Sequence, residues 1–174
     1  TELIKERQGK AQHYMAADMS TPAFHDLPTK RFQKFFAWVP IMNGCNKFCT
    51  YCIVPYVRGR EVSRPIADIV KEIEGLAQEG YKEITLLGQN VNSYGMDLKD
   101  GTDFSALLQA VDQIDGIERV RYMTSHPKDM TFAMIDAIAD SKKVVNQMHL
   151  PIQSGSDRLL KKMNRGYTVE HYME

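Results

Sequence analysis

The chain has 174 residues, with 22 Lys+Arg balanced by 22 Asp+Glu, 43% hydrophobic residues and three cysteines. That composition suits one globular domain and excludes disordered, collagen-like and disulfide-scaffold chains. The longest uncharged runs, from Phe35 to Cys45 and from Ile84 up to Asp97, are too short and too polar to cross a bilayer, and the charged start TELIKERQGK is unlike a secretory leader. A soluble, cytoplasmic chain with no membrane partner is the expectation.

Charge is balanced in total but not along the chain. Residues 41–65 carry Lys47, Arg58, Arg60 and Arg64 against one acid, Glu61, whereas residues 66–116 have a net charge of −7. A uniformly basic nucleic-acid-binding domain is thereby excluded, and the positive excess falls beside the cysteines.

Residues 1–34 hold scattered charge, two prolines in TPAFHDLP and no sustained period, so they read as a linker or entry arm. The patterned domain spans 35–174. FFAWVPIM (35–42) fits a buried strand. Pro65 then opens a helix with Ile66, Ile69, Val70, Ile73, Leu76 and Ala77 on one face, closed by Gly80. KEITLLG (82–88) is the next strand. Phe104, Leu107, Leu108, Val111 and Ile114 mark a second helix ending at Gly116. ERVRYMTS (118–125) predicts a third strand, residues 132–138 a third helix, NQMHLPIQS (146–154) a fourth strand and residues 157–163 a short fourth helix. The closing TVEHYME starts another helical turn.

Strand and helix alternate with strands starting near residues 36, 82, 118 and 146, which predicts right-handed crossovers and a parallel sheet or barrel of the α/β class. About four βα units do not close an eight-stranded barrel, so a partial (βα) TIM-like barrel, incomplete at the C-terminus, is expected. Chemistry in such folds sits in the loops after the strands, here NGCNKFCTYC, GQNVNSYG, SHPKDM and QSGSD.

All three cysteines, Cys45, Cys49 and Cys52, fall within the first of these loops with the spacing C-x3-C-x2-C. A disulfide would leave one thiol over in a reducing compartment. A closed zinc site needs a fourth ligand, which would have to be His25 or another distant histidine. An iron–sulfur cube usually takes four thiolates, so three leave one iron open to a substrate or cofactor. The open 4Fe-4S cluster is the leading reading, with zinc and purely structural thiols as the alternatives.

C-x3-C-x-aromatic-C after the first strand of a βα repeat, with Tyr51 at the aromatic position, resembles the radical S-adenosylmethionine (radical SAM) superfamily. GCNKFCTYCIVPYVRGREVSRP, LLGQNVNSYG, TSHP and LPIQSGSDRLLKKMNRGYT resemble its methylthiotransferases. Within these they look most like the branch that makes 2-methylthio-N6-dimethylallyladenosine in tRNA. The resemblance covers Phe35 to the C-terminus and implies a radical SAM core domain over residues 35–174.

The resemblance implies a transferase in which Cys45, Cys49 and Cys52 hold a 4Fe-4S cluster whose open iron chelates S-adenosyl-L-methionine, generating a 5′-deoxyadenosyl radical that abstracts hydrogen from carbon 2 of N6-isopentenyladenosine next to the anticodon, where sulfur and a methyl group are then placed. Tyr51 would lean on the adenine, or only pack the loop. Gly88 and Gln89 stand where the superfamily binds the methionine amino group, with ordinary turn chemistry as the alternative, which also applies to Asn90 and Asn92. Ser125 and His126, with Gln153 and Ser154, are placed to reach the ribose or the carboxylate. Arg165 would pair the methionine carboxylate, unless it is a solvated surface residue. His149 reads as a satisfied core histidine. Lys47, Arg58, Arg60 and Arg64 suggest phosphate attraction at the mouth of the site, against the alternative of solvated charges.

By the same resemblance, residues 1–34 are a linker from a missing N-terminal domain that holds a second 4Fe-4S cluster on three further cysteines, and an RNA-binding domain follows the C-terminus. The partners implied are the tRNA anticodon stem-loop and an electron donor such as flavodoxin or ferredoxin. The chain alone is expected to hold one cluster without completing methylthiolation. Two rival readings are a methylthiotransferase for a ribosomal protein or for threonylcarbamoyl-adenosine in tRNA, and a zinc-stabilised RNA-binding module.

Overall fold

The computed structural model describes Arg31 and residues 33–174, so Phe32 and the arm up to Lys30, with the candidate zinc ligand His25 and nearly all of the expected linker, lie outside the described residues. The first half runs β1 (Phe36–Pro40), β2 (Met42–Asn43), α1 (Val54–Arg58), β3 (Val62–Ser63), α2 (Ile66–Gln78) and β4 (Glu83–Leu87). After a 3-10 turn at Val91–Ser93 come α3 (Phe104–Asp112), β5 (Arg119–Tyr122), a second 3-10 turn at Pro127–Asp129, α4 (Phe132–Asp140), α5 (Asp157–Lys162) and α6 (Val169–Met173).

The sheet is parallel with the order β1-β4-β5, Ala37 standing opposite Ile84 and Ile84 opposite Val120. The strands of successive βα units are therefore neighbours. Right-handed crossovers in that order put α2 and α3 on one face, and the parallel bridge of Val120 with Val144 sets the fourth unit beside β5 and not beside β1, which is barrel winding and not the doubly wound alternative. The burial pattern agrees. Ala37, Val39, Ile84, Leu86, Val120 and Tyr122 point into a core shared with Ile69, Ile73 and Leu76 of α2 and Leu107, Leu108 and Val111 of α3. The steps of three and four in both helices face that core, as the periodicity predicts. The Asp103 carboxylate caps α3 by accepting from the Ala106 N–H at 2.8 Å, and the Thr131 hydroxyl caps α4 from Met134 at 3.2 Å.

The fourth unit departs from expectation. Residues 146–154 do not form a strand. The chain touches β5 through a single parallel bridge, Val120 with Val144, and again where the Ser125 N–H donates to the His149 carbonyl at 3.1 Å. Among the described residues no strand pairs with the outer side of this segment, and Pro151 has no N–H to give to a ladder, so apolar alternation alone does not hold it extended. His149 is accordingly exposed and is not the core histidine expected. Two small elements were not anticipated, helix α1 and the antiparallel pair β2/β3, in which Met42 faces Ser63 and Asn43 faces Val62.

Candidate functional site

The cysteine loop is closed at its base by the β2/β3 pair. Just beyond it Gly44 has φ +75, and a Cβ there would run into the Arg60 backbone carbonyl, so only glycine lets the two arms of the loop approach. The Cys45 N–H donates to the Gly59 carbonyl at 3.2 Å. Asn46 and the buried Glu61 then hold each other: Glu61 accepts from the Asn46 backbone N–H at 3.1 Å and from its side-chain amide at 3.3 Å, while the Glu61 N–H donates to Asn46 Oδ1 at 3.3 Å.

Two other loops grip this one from outside, one of them braced by a third. Lys47 Nζ lies 2.6 Å from Asp129 Oδ1, after β5, and Asp129 also accepts from Asn90 Nδ2, after β4, at 2.6 Å. Asn164 Nδ2 donates to the carbonyls of Lys47 and Phe48, at 3.3 and 3.0 Å, and the Thr50 N–H donates to the Met163 carbonyl at 3.1 Å. Cysteines within one short stretch are thus presented by a loop held in place by residues up to 117 positions away. Cys45 and Cys49 are buried, Cys52 is half-buried, and all three are free thiols. Burial pushes the Cys45 thiol up, and the neighbouring charges of Glu61, Cys49 and Cys52 push it further, partly offset by a hydrogen bond from the Lys47 backbone. A cation placed among these sulfurs inverts that effect and holds them as thiolates.

The loops after β4 and β5 are stitched together. The Thr124 hydroxyl reaches the Gly88 carbonyl, and the Val91 N–H donates to the Thr124 carbonyl at 3.1 Å. Thr124 has φ +68, a strained conformation for a β-branched residue, held by these two ties. A Cβ on Gly88 would sit 2.6 Å from Met42 Cγ, so its lack of a side chain lets the end of β4 close against β2.

These two loops also carry buried polar atoms without partners: Gln89 Oε1, Asn90 Oδ1, Asn92 Oδ1, Ser125 Oγ and His126 Nε2. Each costs about 1–3 kcal/mol if nothing satisfies it, so their concentration beside the cysteine loop is the pattern of a polar ligand site. His126 Nδ1 accepts from the Lys128 N–H at 3.2 Å, which assigns the ring proton to Nε2. Burial, helped by the Arg165 charge, pulls the His126 pKa down to about 4, so the ring is neutral and Nε2 is a donor at neutral pH.

Arg165 lies after α5 and is 6% exposed, so it is no solvated surface residue. Its Nη1 is 3.3 Å from Cys49 Sγ and 3.4 Å from the Tyr51 hydroxyl, and its Nε is 3.4 Å from the Tyr167 hydroxyl. Tyr167 is fixed by donating to the Ile152 carbonyl at 2.6 Å and by an edge contact with His126. Tyr51, at 55% exposure, lies at the rim of the cysteine loop and does not pack its interior.

The structure therefore joins Cys49, Tyr51 and Arg165 directly, and links Gly88, Gln89 and Ser125 to them through loops that share hydrogen bonds. Gln153 and Ser154 are not bonded to this group; Gln153 is exposed with φ +67, and Ser154 Oγ accepts from Ser156 N at 3.2 Å. The basic ladder is largely spent. Lys47 pairs with Asp129, Arg64 with Glu72 at 2.8 Å, and Arg60 lies over the Phe48 ring at 4.6 Å, while Arg58 is exposed on α1. Sequence reasoning missed Asp129, Asn164 and Tyr167, whose contacts span tens of residues and leave no local period. Among the described residues no three His, Cys, Asp or Glu converge on a single-ion site, and no helix is long and apolar enough to cross a membrane.

Comparison with known proteins bears on this site. The family model of the radical SAM superfamily matches residues 39–174. The tRNA-2-methylthio-N(6)-dimethylallyladenosine synthase of Desulforamulus reducens is 63% identical over 85% of the chain, and that of Pelotomaculum thermopropionicum 60% identical over 86%. The chain spans 32% and 33% of those two relatives, about a third of their length. Among solved structures, the radical S-adenosylmethionine methyltransferase TsrM from Kitasatospora setae superposes with a TM-score of 0.62 at 19% identity, covering 79% of this chain and 27% of that one, which is a likeness of fold. With this match over most of the chain, the cysteine loop and the loops after β4 and β5 included, the chain belongs to the radical SAM superfamily.

Proposed function

We propose that the chain is the radical SAM core of a tRNA methylthiotransferase, and that Cys45, Cys49 and Cys52 bind a 4Fe-4S cluster whose fourth iron takes S-adenosyl-L-methionine. The observation that carries the reading is the meeting of a three-cysteine loop anchored by distant residues with five buried, unpartnered polar atoms on the adjacent loops. Each thiolate of such a cluster binds a different iron, so the cysteines have no need to converge on one ion, as a zinc site would require. When bound, the pair supplies one-electron cleavage of a sulfonium C–S bond.

The chain's own residues orient that cofactor. Tyr51 offers a ring at the rim for adenine. Gln89 Oε1 and the Gly88 turn face the amino group; Ser125 Oγ, with Gln153 and Ser154 from the last loop, serves the ribose and carboxylate, and Arg165 brings a positive charge beside Cys49. Relatives named tRNA-2-methylthio-N(6)-dimethylallyladenosine synthase support N6-isopentenyladenosine in tRNA as the base modified. The family resemblance of the motifs alone extends the proposal to a site next to the anticodon, a cytoplasmic setting, a flavodoxin or ferredoxin as electron donor, and a second 4Fe-4S cluster in a further N-terminal domain.

Anaerobic loading with ferrous salt and sulfide tests the reading. A brown protein with broad visible absorption, lost in the triple Cys→Ala variant, is expected; colourless protein carrying zinc instead overturns it. The substrate is tested by assaying the whole enzyme that contains this chain against tRNA bearing N6-isopentenyladenosine, tRNA bearing threonylcarbamoyl-adenosine and ribosomal protein. Methylthiolation of the first alone is expected.

A further inference from the structure

Arg165 is a buried cation without an acid. Among the described residues the ion pairs join Arg31, Lys47, Arg64, Lys82, Arg119 and Arg121 to carboxylates, and Arg165 takes part in none of them. Its guanidinium instead meets Cys49 Sγ at 3.3 Å, the hydroxyls of Tyr51 and Tyr167 at 3.4 Å each, and the Tyr167 ring at 5.5 Å. A buried charge facing only neutral groups is costly, so an anion at the sulfur is what balances it.

The surroundings hold the guanidinium there. Asn164 has φ +55 and Gly166 φ +69, so the backbone turns sharply on both sides of Arg165. Asn164 meanwhile donates to the Lys47 and Phe48 carbonyls, just ahead of Cys49. Side chain and neighbour thus grip the same short stretch of the cysteine loop, and Tyr167, fixed on the Ile152 carbonyl, receives Arg165 Nε. This is a built N–H···S contact and not a chance approach.

We infer that Arg165 is a positioning residue that tunes the cluster electronically: its charged N–H···S bond to Cys49 raises the reduction potential of the 4Fe-4S centre, whether or not S-adenosyl-L-methionine is present. This rests on the reading of Cys45, Cys49 and Cys52 as cluster ligands. Reduction adds one electron, taken from an external donor, and so one negative charge to the cluster; a fixed cation bonded to a ligating sulfur favours the reduced state, and hydrogen bonds to sulfur are among the factors that set such potentials.

The test is a redox titration of the anaerobically loaded chain with dithionite, followed by the electron paramagnetic resonance of the reduced cluster, with no S-adenosyl-L-methionine added. Arg165→Gln is expected to lower the midpoint by at least ~59 mV, a tenfold change in a one-electron equilibrium, and Arg165→Lys to restore at least half of that shift. Tyr167→Phe keeps the cation but frees it, and is expected to lower the midpoint by a smaller amount; together with the lysine variant it decides the matter if the glutamine variant takes up no cluster. Unchanged midpoints overturn the inference, even if binding of S-adenosyl-L-methionine weakens, since that result leaves Arg165 only a carboxylate partner. Wild-type protein that forms no cluster overturns the inference and the cluster reading together, and that outcome is recognised by the missing colour and resonance.

Discussion

The two ends of the sheet are built on opposite principles. At the end where the strands begin, polar groups are satisfied: one Asp112 carboxylate oxygen accepts from the Ser141 hydroxyl and from the backbone N–H groups of Lys142 and Lys143, Lys143 Nζ donates to the Ile114 carbonyl at 2.7 Å, and the Glu118 N–H donates to the Lys82 carbonyl at 2.8 Å. Gly80 and Gly116 turn the chain there with positive φ at no steric cost. At the other end lie the strained Thr124, the free thiols and the five buried polar atoms without partners. One end is arranged for folding. The other forgoes stability, the usual pattern at functional sites, and on the proposed function the bound cofactor restores it.

The largest effect that sharpens this contrast is expected from His126. Its folded pKa of about 4 lies below the ordinary value of 6.5, so the unfolded chain takes up the proton first as pH falls. Its contribution is present in full above pH 6.5 and is lost progressively down to about pH 4, on the order of 3 kcal/mol. Denaturant titrations across that range should show a flatter pH dependence for His126→Gln than for the wild type; parallel profiles contradict the assignment.

Next comes the satisfied end. Asp112→Ala takes the acceptor from the Lys142 N–H and the Ser141 hydroxyl and leaves the Lys143 N–H only Ser141 Oγ at 3.2 Å; it is expected to cost about 2 kcal/mol, measured by urea unfolding, with iron uptake unaffected. A smaller loss, roughly 1 kcal/mol, is expected for Gly116→Ala, because φ is +87 and the new Cβ meets Ala77 Cβ at 3.3 Å. Thermal unfolding reads it.

The smallest effect on stability, within about 1 kcal/mol, is expected at Asn92, whose Oδ1 is buried unpartnered and whose Nδ2 makes only a long 3.5 Å bond to the His126 carbonyl. Asn92→Leu should nevertheless weaken binding of S-adenosyl-L-methionine at least tenfold, or roughly 1.4 kcal/mol, by isothermal titration of the cluster-loaded chain. If instead Asn92→Leu unfolds the chain and spares binding, the contrast between the two ends is broken.

Much of the arrangement was legible in the residues. Short-range regularities wrote it: the steps of three and four from Ile66 to Ala77, the apolar runs of β1 and β4, the closing glycines and the C-x3-C-x2-C spacing. Each of these acts over a few residues, and a helix face or a strand run is settled over that distance. The fourth strand was misjudged for the same reason, since NQMHLPIQS alternates as a strand does, yet a strand exists only if neighbours accept its hydrogen bonds.

By itself, then, the sequence determined the alternation of strands and helices, the core faces of α2 and α3, and the membership of the cysteines in one loop, because local sterics, hydrophobic period and spacing decide these. Only the tertiary structure decided that Lys47 is consumed by Asp129, that Arg165 is buried against Cys49 instead of lying in solvent, and that His126 is held neutral with a free donor. Those outcomes depend on which distant groups share a low-dielectric space, and charge and hydrogen-bond energies there follow distance and burial, neither of which is written in the order of the residues.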